Sequence, residues 1–443
     1  MSKKTNPVGA TYGKSTPHNA SALIIDREVG IFDFLMAEKT LCQISDLTIE
    51  SDITKKDARD IALGDKKRSV QNVIAKLEVI GQVNGGLERR NHPIEPGTPL
   101  KKATGKSIET FMGFDKDGVV VGHLLRRTDV KASLSQKMFD THISVLGQTG
   151  RGKTNLSKVL LAGIQVWKEA RIVIIDPHGE YQGNNTIVDE IKPNMKEVCI
   201  GDVLEKVRDN INSKVEKYLD TTLEAVGWYT AKSYTCLNKL QKIIKSISED
   251  DESVYGKGLE KEIMKACKTE AVMEKVKYDI ISIGDNTPLI VNLKGLEIEQ
   301  QEAVVGMIAK LILDLGKAGN GTYLFIDECH LYCPQQGTPV SKKPIINLAQ
   351  EGRKFGCGLV IMSQRPAKVD KDVISQCNTK FCLAMANDND IRQVRASTES
   401  ATRQMFQEVQ KLRRGECLLA SPYIERPVFI AVDEYKEKQE VNE

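Results

Sequence analysis

The hydrophobic pattern of the chain changes near residue 138. Between residues 22 and 125, short apolar runs alternate with turn signals such as Asn84-Gly85-Gly86, a pattern typical of a small β domain. Beyond residue 138, longer and nearly continuous apolar runs are separated by stretches with helical periodicity. Such runs are typical of strands covered on both faces. The pattern predicts an α/β fold with a doubly wound, mostly parallel sheet, preceded by a small N-terminal β-barrel.

Eight apolar runs are the candidate strands of the second region. They cover residues 142–146, 171–175, 288–293, 322–326, 358–362, 379–385, 415–420 and 427–432. Residues 187–283 interrupt this rhythm with a polar, Lys- and Glu-rich stretch of helical periodicity, which we interpret as a helical insertion. In the first region, the apolar residues 111–114 and 119–121 flank Asp115-Lys-Asp-Gly118 and predict a hairpin.

These patterns divide the chain into three parts. Residues 1–21 are rich in Gly, Ser, Thr, Pro and Lys and are predicted to form a flexible leader. Residues 22–125 form the predicted β-barrel domain. Residues 126–443 form the α/β domain, with the insertion at about 187–283 and a C-terminal brace at about 421–443.

Composition narrows the choice of protein class. The 443 residues are 40% hydrophobic and 28% charged, as in ordinary globular proteins. The net charge of +3 means that a nucleic-acid surface would need a local concentration of Lys and Arg. The ten cysteines are scattered, and several lie in apolar runs, as reduced thiols do. No stretch approaches 18 apolar residues, so we expect a cytoplasmic chain without a membrane span.

A phosphate-binding loop follows the apolar run 142–146. Residues 147–154 read Gly-Gln-Thr-Gly-Arg-Gly-Lys-Thr and lead into a helical pattern. In such a loop the backbone N–H groups converge on the phosphates, a lysine bridges the β- and γ-phosphates, and a Thr hydroxyl ligates Mg²⁺. The predicted nucleotide-binding residues here are Gly147, Gln148, Thr149, Gly150, Arg151, Gly152, Lys153, Thr154 and Asn155. A Gly-rich turn that binds nothing is the alternative.

Two acids follow the apolar strand that ends at Ile326. Asp327 and Glu328 come at the carboxyl end of this strand, where open α/β folds bind their ligands. Asp327 would hold Mg²⁺, directly or through water. Glu328 suits a general base that polarises the water attacking the γ-phosphate, which favours a hydrolase over a kinase. Two acids that merely cap a strand are the alternative.

Three further residues are candidates for the same site. Gln364 follows the strand 358–362 and could sense the γ-phosphate, or it could simply begin the turn before Pro366. Arg353 could offset phosphoryl charge only at a nucleotide bound by a neighbouring subunit, and a helix-terminal salt bridge is its alternative. Asp176 follows the strand 171–175 and is predicted to orient the phosphate loop or metal-bound waters.

Together these segments resemble the HerA family of hexameric ATPases, a branch of the HerA–FtsK group of DNA-pumping motors. The specific motifs lie between about residues 142 and 432, and residues 22–125 match only as a weak barrel likeness. The resemblance places the phosphate-loop Lys and Thr at Lys153 and Thr154, the acidic pair at Asp327 and Glu328, the Asp-x-His-Gly-Glu motif at Asp176 to Glu180, the sensor at Gln364 and the trans-acting arginine at Arg353. Arg151 departs from the small residue usual there, and Thr141 stands where archaeal members often carry a second intersubunit arginine.

The resemblance implies a function. HerA proteins have a RecA-like core, use ATP with Mg²⁺ and form rings, usually hexameric, that thread double-stranded DNA. Archaeal members resect DNA ends for repair with the nuclease NurA, and related bacterial rings join antiphage effectors. We therefore expect an ATP-hydrolysing DNA translocase or helicase with such a partner. The pore-facing candidates are Lys342, Lys343, Lys368 and Lys371, which could instead lie in ordinary solvated loops.

Two other functions use the same residues. A nucleotide-gated scaffold ring would assemble or switch a nuclease or an antiphage effector without translocating. A protein-remodelling or secretion ATPase would act on a polypeptide. The direction of movement and the identity of the partner do not follow from the sequence.

Overall fold

The computed structural model describes residues 6–50, 72–83, 87–88, 90–167, 171–181, 196–199, 288–296 and 298–435. Contacts divide the chain into two compact units. Residues 1–115 and 126–131 form the first unit, and residues 116–125 and 132–443 form the second.

The first unit contains a closed antiparallel barrel. Its strands are β1 (Gly9–Tyr12), β2 (Asn19–Ile24), β3 (Phe34–Ala37), β4 (Thr40–Glu50), β5 (Asn72–Val83), β6 (Leu87–Glu88) and β7 (Pro99–Lys102), followed by helix α1 (Gly105–Met112). The order is β2-β1-β7-β3-β4-β5, and pairing of β5 with β2 closes the barrel. Its interior is filled by buried apolar side chains such as Leu35, Ile44, Leu77 and Leu100. The predicted N-terminal barrel is confirmed.

Three details of the first region were predicted wrongly. The flexible leader is wrong for residues 9–21, because β1 pairs with β2 and β7 inside the barrel. The hairpin is wrong because residues 105–112 form α1, capped by the Thr104 hydroxyl and ended by the left-handed Gly113. The barrel boundary at 125 is also wrong, since residues 116–125 belong to the second unit.

The chain also contains an 11-stranded sheet, and the second unit holds all of it except residues 127–131 of one strand. Its strands are β8 (Val119–Leu124), β9 (Arg127–Leu134), β10 (His142–Leu146), β11 (Arg171–Asp176), β12 (Lys196–Cys199), β13 (Leu289–Asn292), β14 (Thr322–Ile326), β15 (Gly358–Ser363), β16 (Cys377–Leu383), β17 (Glu416–Ala420) and β18 (Val428–Val432). Their order is β12-β13-β11-β14-β15-β10-β16-β17-β18-β8-β9. The first seven are parallel, and the pairings β16–β17, β17–β18 and β18–β8 are antiparallel. All eight predicted strands are present, and the predicted fold class is confirmed.

Helices connect these strands. They are α2 (Gln136–Phe139), α3 (Lys153–Trp167), α4 (Ile298–Lys317), α5 (Lys342–Glu351), α6 (Lys371–Gln376), α7 (Asp388–Ala396) and α8 (Arg403–Val409), with 3-10 turns at Gly352–Phe355 and Pro366–Lys368. Val305, Ile308 and Ile312 of α4 pack in one buried cluster with Leu324 of β14 and Leu359 of β15. Burial of this apolar surface fixes the central strands that carry the site residues.

Two predicted segments extend beyond the described residues. Residues 196–199 form the edge strand β12, so a wholly helical insertion over 187–283 is wrong at that point. The rest of the predicted insertion lies outside the described residues. In the predicted C-terminal brace, residues 428–432 form β18 within the sheet, and residues 436–443 lie outside the described part. None of the helices in the described ranges has the length and apolarity needed to cross a bilayer.

Candidate active site

The phosphate loop is anchored at the carboxyl end of β10. The Gly147 N–H donates to the Ser363 carbonyl over 3.1 Å, and the Gln148 N–H donates to the Ala384 carbonyl over 3.1 Å. The loop therefore begins between the ends of β15 and β16. A Cβ on Gly147 would lie 2.6 Å from Leu383 Cβ, a clash that only glycine avoids.

Two other glycines give the loop its shape. Gly150 has φ +74° and Gly152 has φ +104°, a region that side chains disfavour. The Gly152 carbonyl then accepts the Leu156 N–H over 3.0 Å, as α3 begins. Lys153 Nζ lies 3.4 Å from the Gln148 carbonyl, over the loop itself. The Arg151 carbonyl accepts from the Gly415 N–H over 3.0 Å, so this residue ties the loop to β17's side of the sheet.

The acidic pair follows β14, which β15 separates from β10 in the same parallel part of the sheet. Asp327 and Glu328 are both buried, with exposed fractions of 5% and 7%. The Glu328 N–H donates to Asp327 Oδ1 over 2.8 Å, and Glu328 adopts a left-handed φ of +46°. Burial, and then the charge of Glu328, raises the pKa of Asp327 to about 7. A divalent cation would oppose this shift, so a metal ligand suits Asp327.

Glu328 is held in its charged form by its neighbours. Its Oε2 lies 3.1 Å from His330 Nδ1 and accepts the Gln364 N–H over 3.4 Å. Burial acts to raise the pKa of Glu328, but the His330 hydrogen bond and the Lys153 charge outweigh it and lower the pKa. An ionised, partly desolvated carboxylate at this position can accept a proton from water, as a general base must.

His330 is a site residue that sequence reasoning missed. Its Nδ1 also lies 3.2 Å from Ser363 Oγ, so it joins the base to the last residue of β15. The sequence signal nearby is the motif Cys329-His330-Leu-Tyr-Cys333, whose spacing favours packed core cysteines over a zinc site. Both cysteines are buried in the apolar core, as this interpretation predicts. In the part of the chain that the structure describes, no group of three or more His, Cys, Asp and Glu residues could hold a metal ion.

Gln364 contacts the phosphate loop directly. It follows β15, and its side-chain Oε1 accepts a hydrogen bond from the Thr149 hydroxyl. Its backbone N–H bonds Glu328, as described above. One residue therefore touches both the loop and the base, which is the placement that a γ-phosphate sensor needs. Its role as a sensor stays a prediction.

Asp176 acts on the loop that follows it. Its Oδ1 accepts the N–H groups of His178, Gly179 and Glu180 over 2.8–3.2 Å, and its Oδ2 accepts that of Tyr181 over 3.0 Å. Asp176 is fully buried, and its predicted role in orienting the phosphate loop or metal-bound waters stays a prediction. The residue that reaches the site is Glu180, which accepts the Thr154 hydroxyl over 3.0 Å. Thr154, Asp327 and Glu180 offer oxygen atoms of the kind that Mg²⁺ binds.

Asn155 is engaged away from the phosphate loop. Its Nδ2 donates to the Asp433 carbonyl over 3.0 Å, and its Oδ1 accepts the Tyr435 N–H over 2.9 Å. Both polar atoms of the side chain are therefore engaged, and the predicted nucleotide-binding role of Asn155 stays a prediction. Asn155 therefore links the start of α3 to the residues after β18, and this contact helps to fix the position of the phosphate loop that precedes α3.

Comparison with known proteins agrees with these motifs. A sequence model described as "Helicase HerA, central domain" matches residues 119–312. The DNA double-strand break repair helicase HerA of Sulfurisphaera tokodaii is 24% identical over 474 aligned positions, covering 97% of this chain and 94% of the relative. A probable helicase of Methanocaldococcus jannaschii is 25% identical and covers 88% and 82%. Among solved structures, VirB4 of Thermoanaerobacter pseudethanolicus is 15% identical with a TM-score of 0.43, covering 72% of this chain and 97% of that one.

The chain is a P-loop ATPase similar to the HerA helicases. The resemblance expected from its motifs is confirmed.

Arg353 lies at the opposite edge of the sheet of this HerA-like ATPase. It is in the 3-10 turn Gly352–Phe355, before β15 begins, whereas the phosphate loop, the acids and Gln364 follow the ends of parallel strands. A strand of five or six residues separates the two edges by about 15–20 Å. The pKa of His142, at the start of β10, falls to about 4 mainly through burial, and the positive charge of Arg353 lowers it further. Arg353 is exposed and makes no ion pair with any described residue. Its guanidinium therefore does not reach a nucleotide bound at the phosphate loop of the same chain.

The four predicted pore lysines have different surroundings. Lys342 is bound to Asp370 and to backbone carbonyls, with only 16% of its side chain exposed, so its predicted role as a free DNA contact is wrong. Lys343 and Lys371 are exposed, as a DNA contact requires. Their DNA-binding role stays a prediction.

Lys368 lies beside the phosphate loop instead. A cavity of about 670 Å³ opens there. It is lined by Gln148, Thr149, Gln364, Arg365, Ala367, Lys368, Asn387, Asn389 and Asp390. The sequence placed Lys368 with the pore residues, but this cavity places it next to the predicted sensor.

Proposed function

We propose that this chain is the subunit of a ring that hydrolyses ATP to move along double-stranded DNA. The observation that carries the proposal is the division of one catalytic set between two edges of the sheet. Lys153, Glu328 and Gln364 meet at the carboxyl edge, and Arg353 is exposed at the amino edge. Such a set is complete only when a second subunit brings its amino edge to the first subunit's nucleotide.

Each residue has a separate task in hydrolysis. Thr154 and Asp327 would hold Mg²⁺, which offsets phosphate charge when bound. Lys153 would contact the β- and γ-phosphates, and Glu328 would accept a proton from the attacking water. Arg353 of a neighbouring subunit would offset charge on the transferring phosphoryl group.

Double-stranded DNA is the proposed substrate because relatives covering nearly the whole chain are named DNA double-strand break repair helicases. The exposed Lys343 and Lys371 supply positive charge on the same side of the strands as the site. Phosphate contacts repeated around a ring would make binding independent of sequence and strongly salt-dependent. We further propose a nuclease or antiphage effector as the partner and a hexamer as the assembly.

An ATPase assay with linear duplex tests the substrate. We expect the rate of ATP hydrolysis to rise several-fold with duplex at low salt and to fall as salt is added. In the presence of ATP, the protein should also displace a triplex-forming strand from the duplex. Stimulation by polypeptide and not by DNA would instead support a remodelling ATPase.

The scaffold alternative needs a second measurement. The complex with its co-purified nuclease should lose DNA resection when Glu328 is changed to Gln. If nuclease activity were unchanged in that variant, the chain would be a scaffold and the motor proposal would be wrong.

A further inference from the structure

An exposed turn follows the acidic pair. Residues 335–338, Gln-Gln-Gly-Thr, are all exposed, and Gly337 has a left-handed φ of +88°. The turn has no buried apolar side chain of its own. Since apolar burial does not fix its position, polar contacts must do so.

Lys342 supplies the strongest of these contacts. Its Nζ lies 3.1 Å from Asp370 Oδ2, 3.3 Å from the Gln335 carbonyl and 3.2 Å from the Gly337 carbonyl. An ammonium group has three N–H donors, and all three are used. Lys342 therefore binds the turn with two protons and the segment after β15 with the third.

This ion pair differs from an ordinary surface pair. Only 16% of the Lys342 side chain and 9% of the Asp370 side chain are exposed. Exposed pairs contribute little, but removing one partner of a shielded pair leaves the other charge desolvated and unpaired. The Asp370 carboxylate also accepts the Asp372 N–H over 2.9 Å and so caps α6.

Backbone contacts join the same two segments. Pro334 and Val369 form an antiparallel bridge, and the Gln335 N–H donates to the Lys368 carbonyl over 2.7 Å. The Gln335 side-chain oxygen accepts the Lys371 N–H over 2.9 Å. The turn 335–338 is thus attached to residues 368–371 at several points.

The segment 364–371 begins at the phosphate loop. Gln364 bonds Thr149 of the phosphate loop and Glu328. The following residues form a short 3-10 turn, with the Lys368 N–H donating to the Arg365 carbonyl over 2.9 Å. Only three residues separate Gln364 from Lys368. Because this connection is short and hydrogen-bonded, a displacement of Gln364 should also displace the turn 335–338 that is attached to Lys368.

We propose that Lys342 and Asp370 form a latch that makes the turn 335–338 move with Gln364, and that this turn is the part that pushes on duplex phosphates. The proposal rests on the proposed DNA motor function. Gln side chains, a Thr hydroxyl and backbone N–H groups are uncharged donors that contact phosphate without reading bases. Lys371, one residue from the latch, adds a positive charge beside them.

The first test changes Lys342 to Met, which keeps the aliphatic length and removes the three donors. Lys310→Met, at an exposed site on α4, is the matched control, and Lys342→Arg retains the charge. Asp370→Asn is a second variant, because an amide oxygen can still cap α6.

We expect the ATPase rate without DNA to stay within about twofold of wild type in Lys342→Met and Asp370→Asn. The stimulation of ATPase by DNA and the strand displacement per ATP should both fall about tenfold in these two variants. An equal fall of ATPase with and without DNA would overturn the latch.

The second test needs no DNA. Hydrogen exchange at residues 335–338 is compared between ADP and a slowly hydrolysed ATP analogue. We expect a nucleotide-dependent difference in wild type and Lys310→Met that disappears in Lys342→Met. A difference that persists in Lys342→Met contradicts the latch. If wild-type ATPase ignores duplex while exchange behaves as expected, the DNA motor is wrong and the latch stands.

Discussion

The two edges of the ATPase sheet differ in how their polar groups are used. At the carboxyl edge, Gln364 bonds both Thr149 and Glu328, and His330 contacts Glu328. At the amino edge, Arg353 is exposed and has no carboxylate partner among the described residues. The Arg353 guanidinium therefore has no ion pair to satisfy its charge among the described residues.

This difference shows what a single chain can and cannot do. The carboxyl edge holds the predicted base, the phosphate loop and the predicted sensor, so we expect nucleotide binding to require one subunit. The group that would offset transition-state charge lies about 15–20 Å away along the strands. Hydrolysis should therefore depend on assembly, and the following variants separate the two edges.

The largest effect is expected at the base. Glu328→Gln should reduce ATP hydrolysis about 10⁴-fold, because the amide cannot accept the proton from water. ATP affinity should change little, since the variant keeps the shape of the side chain. Single-turnover hydrolysis and equilibrium ATP binding check the two statements. Residual turnover above one hundredth of wild type would mean that another group is the base.

The amino edge gives the next effect. Arg353→Ala should lower hydrolysis about 10³-fold with unchanged ATP affinity for the isolated subunit. Lys354→Ala, the exposed neighbour, is the matched control and should be close to wild type. If both variants lost activity equally, general disruption of the edge would be the better explanation.

His330 is expected to orient Glu328 at the carboxyl edge. His330→Ala should lower kcat about 100-fold with little change in KM, because Glu328 loses the donor that orients it. His330→Asn should recover much of this loss, since an Asn amide can place an N–H near the Nδ1 position. Steady-state kinetics decide the point, and equal defects in both variants would contradict a positioning role.

The pKa of Asp327 gives a smaller, pH-dependent effect on stability. In the metal-free protein its pKa is raised to about 7 from an ordinary value of 3.8, so between these values the folded state holds a proton that the unfolded state lacks. Stability should therefore fall as pH rises from about 4 to 7 and then level off. Asp327→Asn should lack this dependence and be more stable at pH 8, by about 4 kcal/mol at most. Chemical denaturation with EDTA across this pH range measures it, and a wild type that is insensitive to pH would contradict the raised pKa.

Most of the sheet was predictable because its central strands are buried on both faces and read as continuous apolar runs. Strand β1 was missed because its Gly-Ala-Thr-Tyr sequence resembles a linker, and only pairing with β2 and β7 makes it a strand. Helix α1 was missed because Phe111 and Phe114 resemble half of a hairpin. Local composition does not determine which strands pair when the partners are distant in the sequence.

The site shows the same limit. The phosphate loop and the acidic pair were found because each has a short fixed spacing. His330 and Glu180 act through contacts with residues distant in sequence or on another loop, which spacing does not reveal. Lys342 was misassigned because a lysine in a polar loop looks solvated, whereas its partner Asp370 is 28 residues away.

If one subunit's Arg353 completes its neighbour's site, mixed assemblies should show it. Arg353→Ala and Lys153→Ala subunits, each inactive alone, are mixed at varying ratios and assayed for ATP hydrolysis. Some interfaces then combine an intact phosphate loop with an intact Arg353, so activity should reappear and peak near equal proportions. Mixtures that remain as inactive as the separate variants, although exchange of subunits is shown independently, would contradict the account.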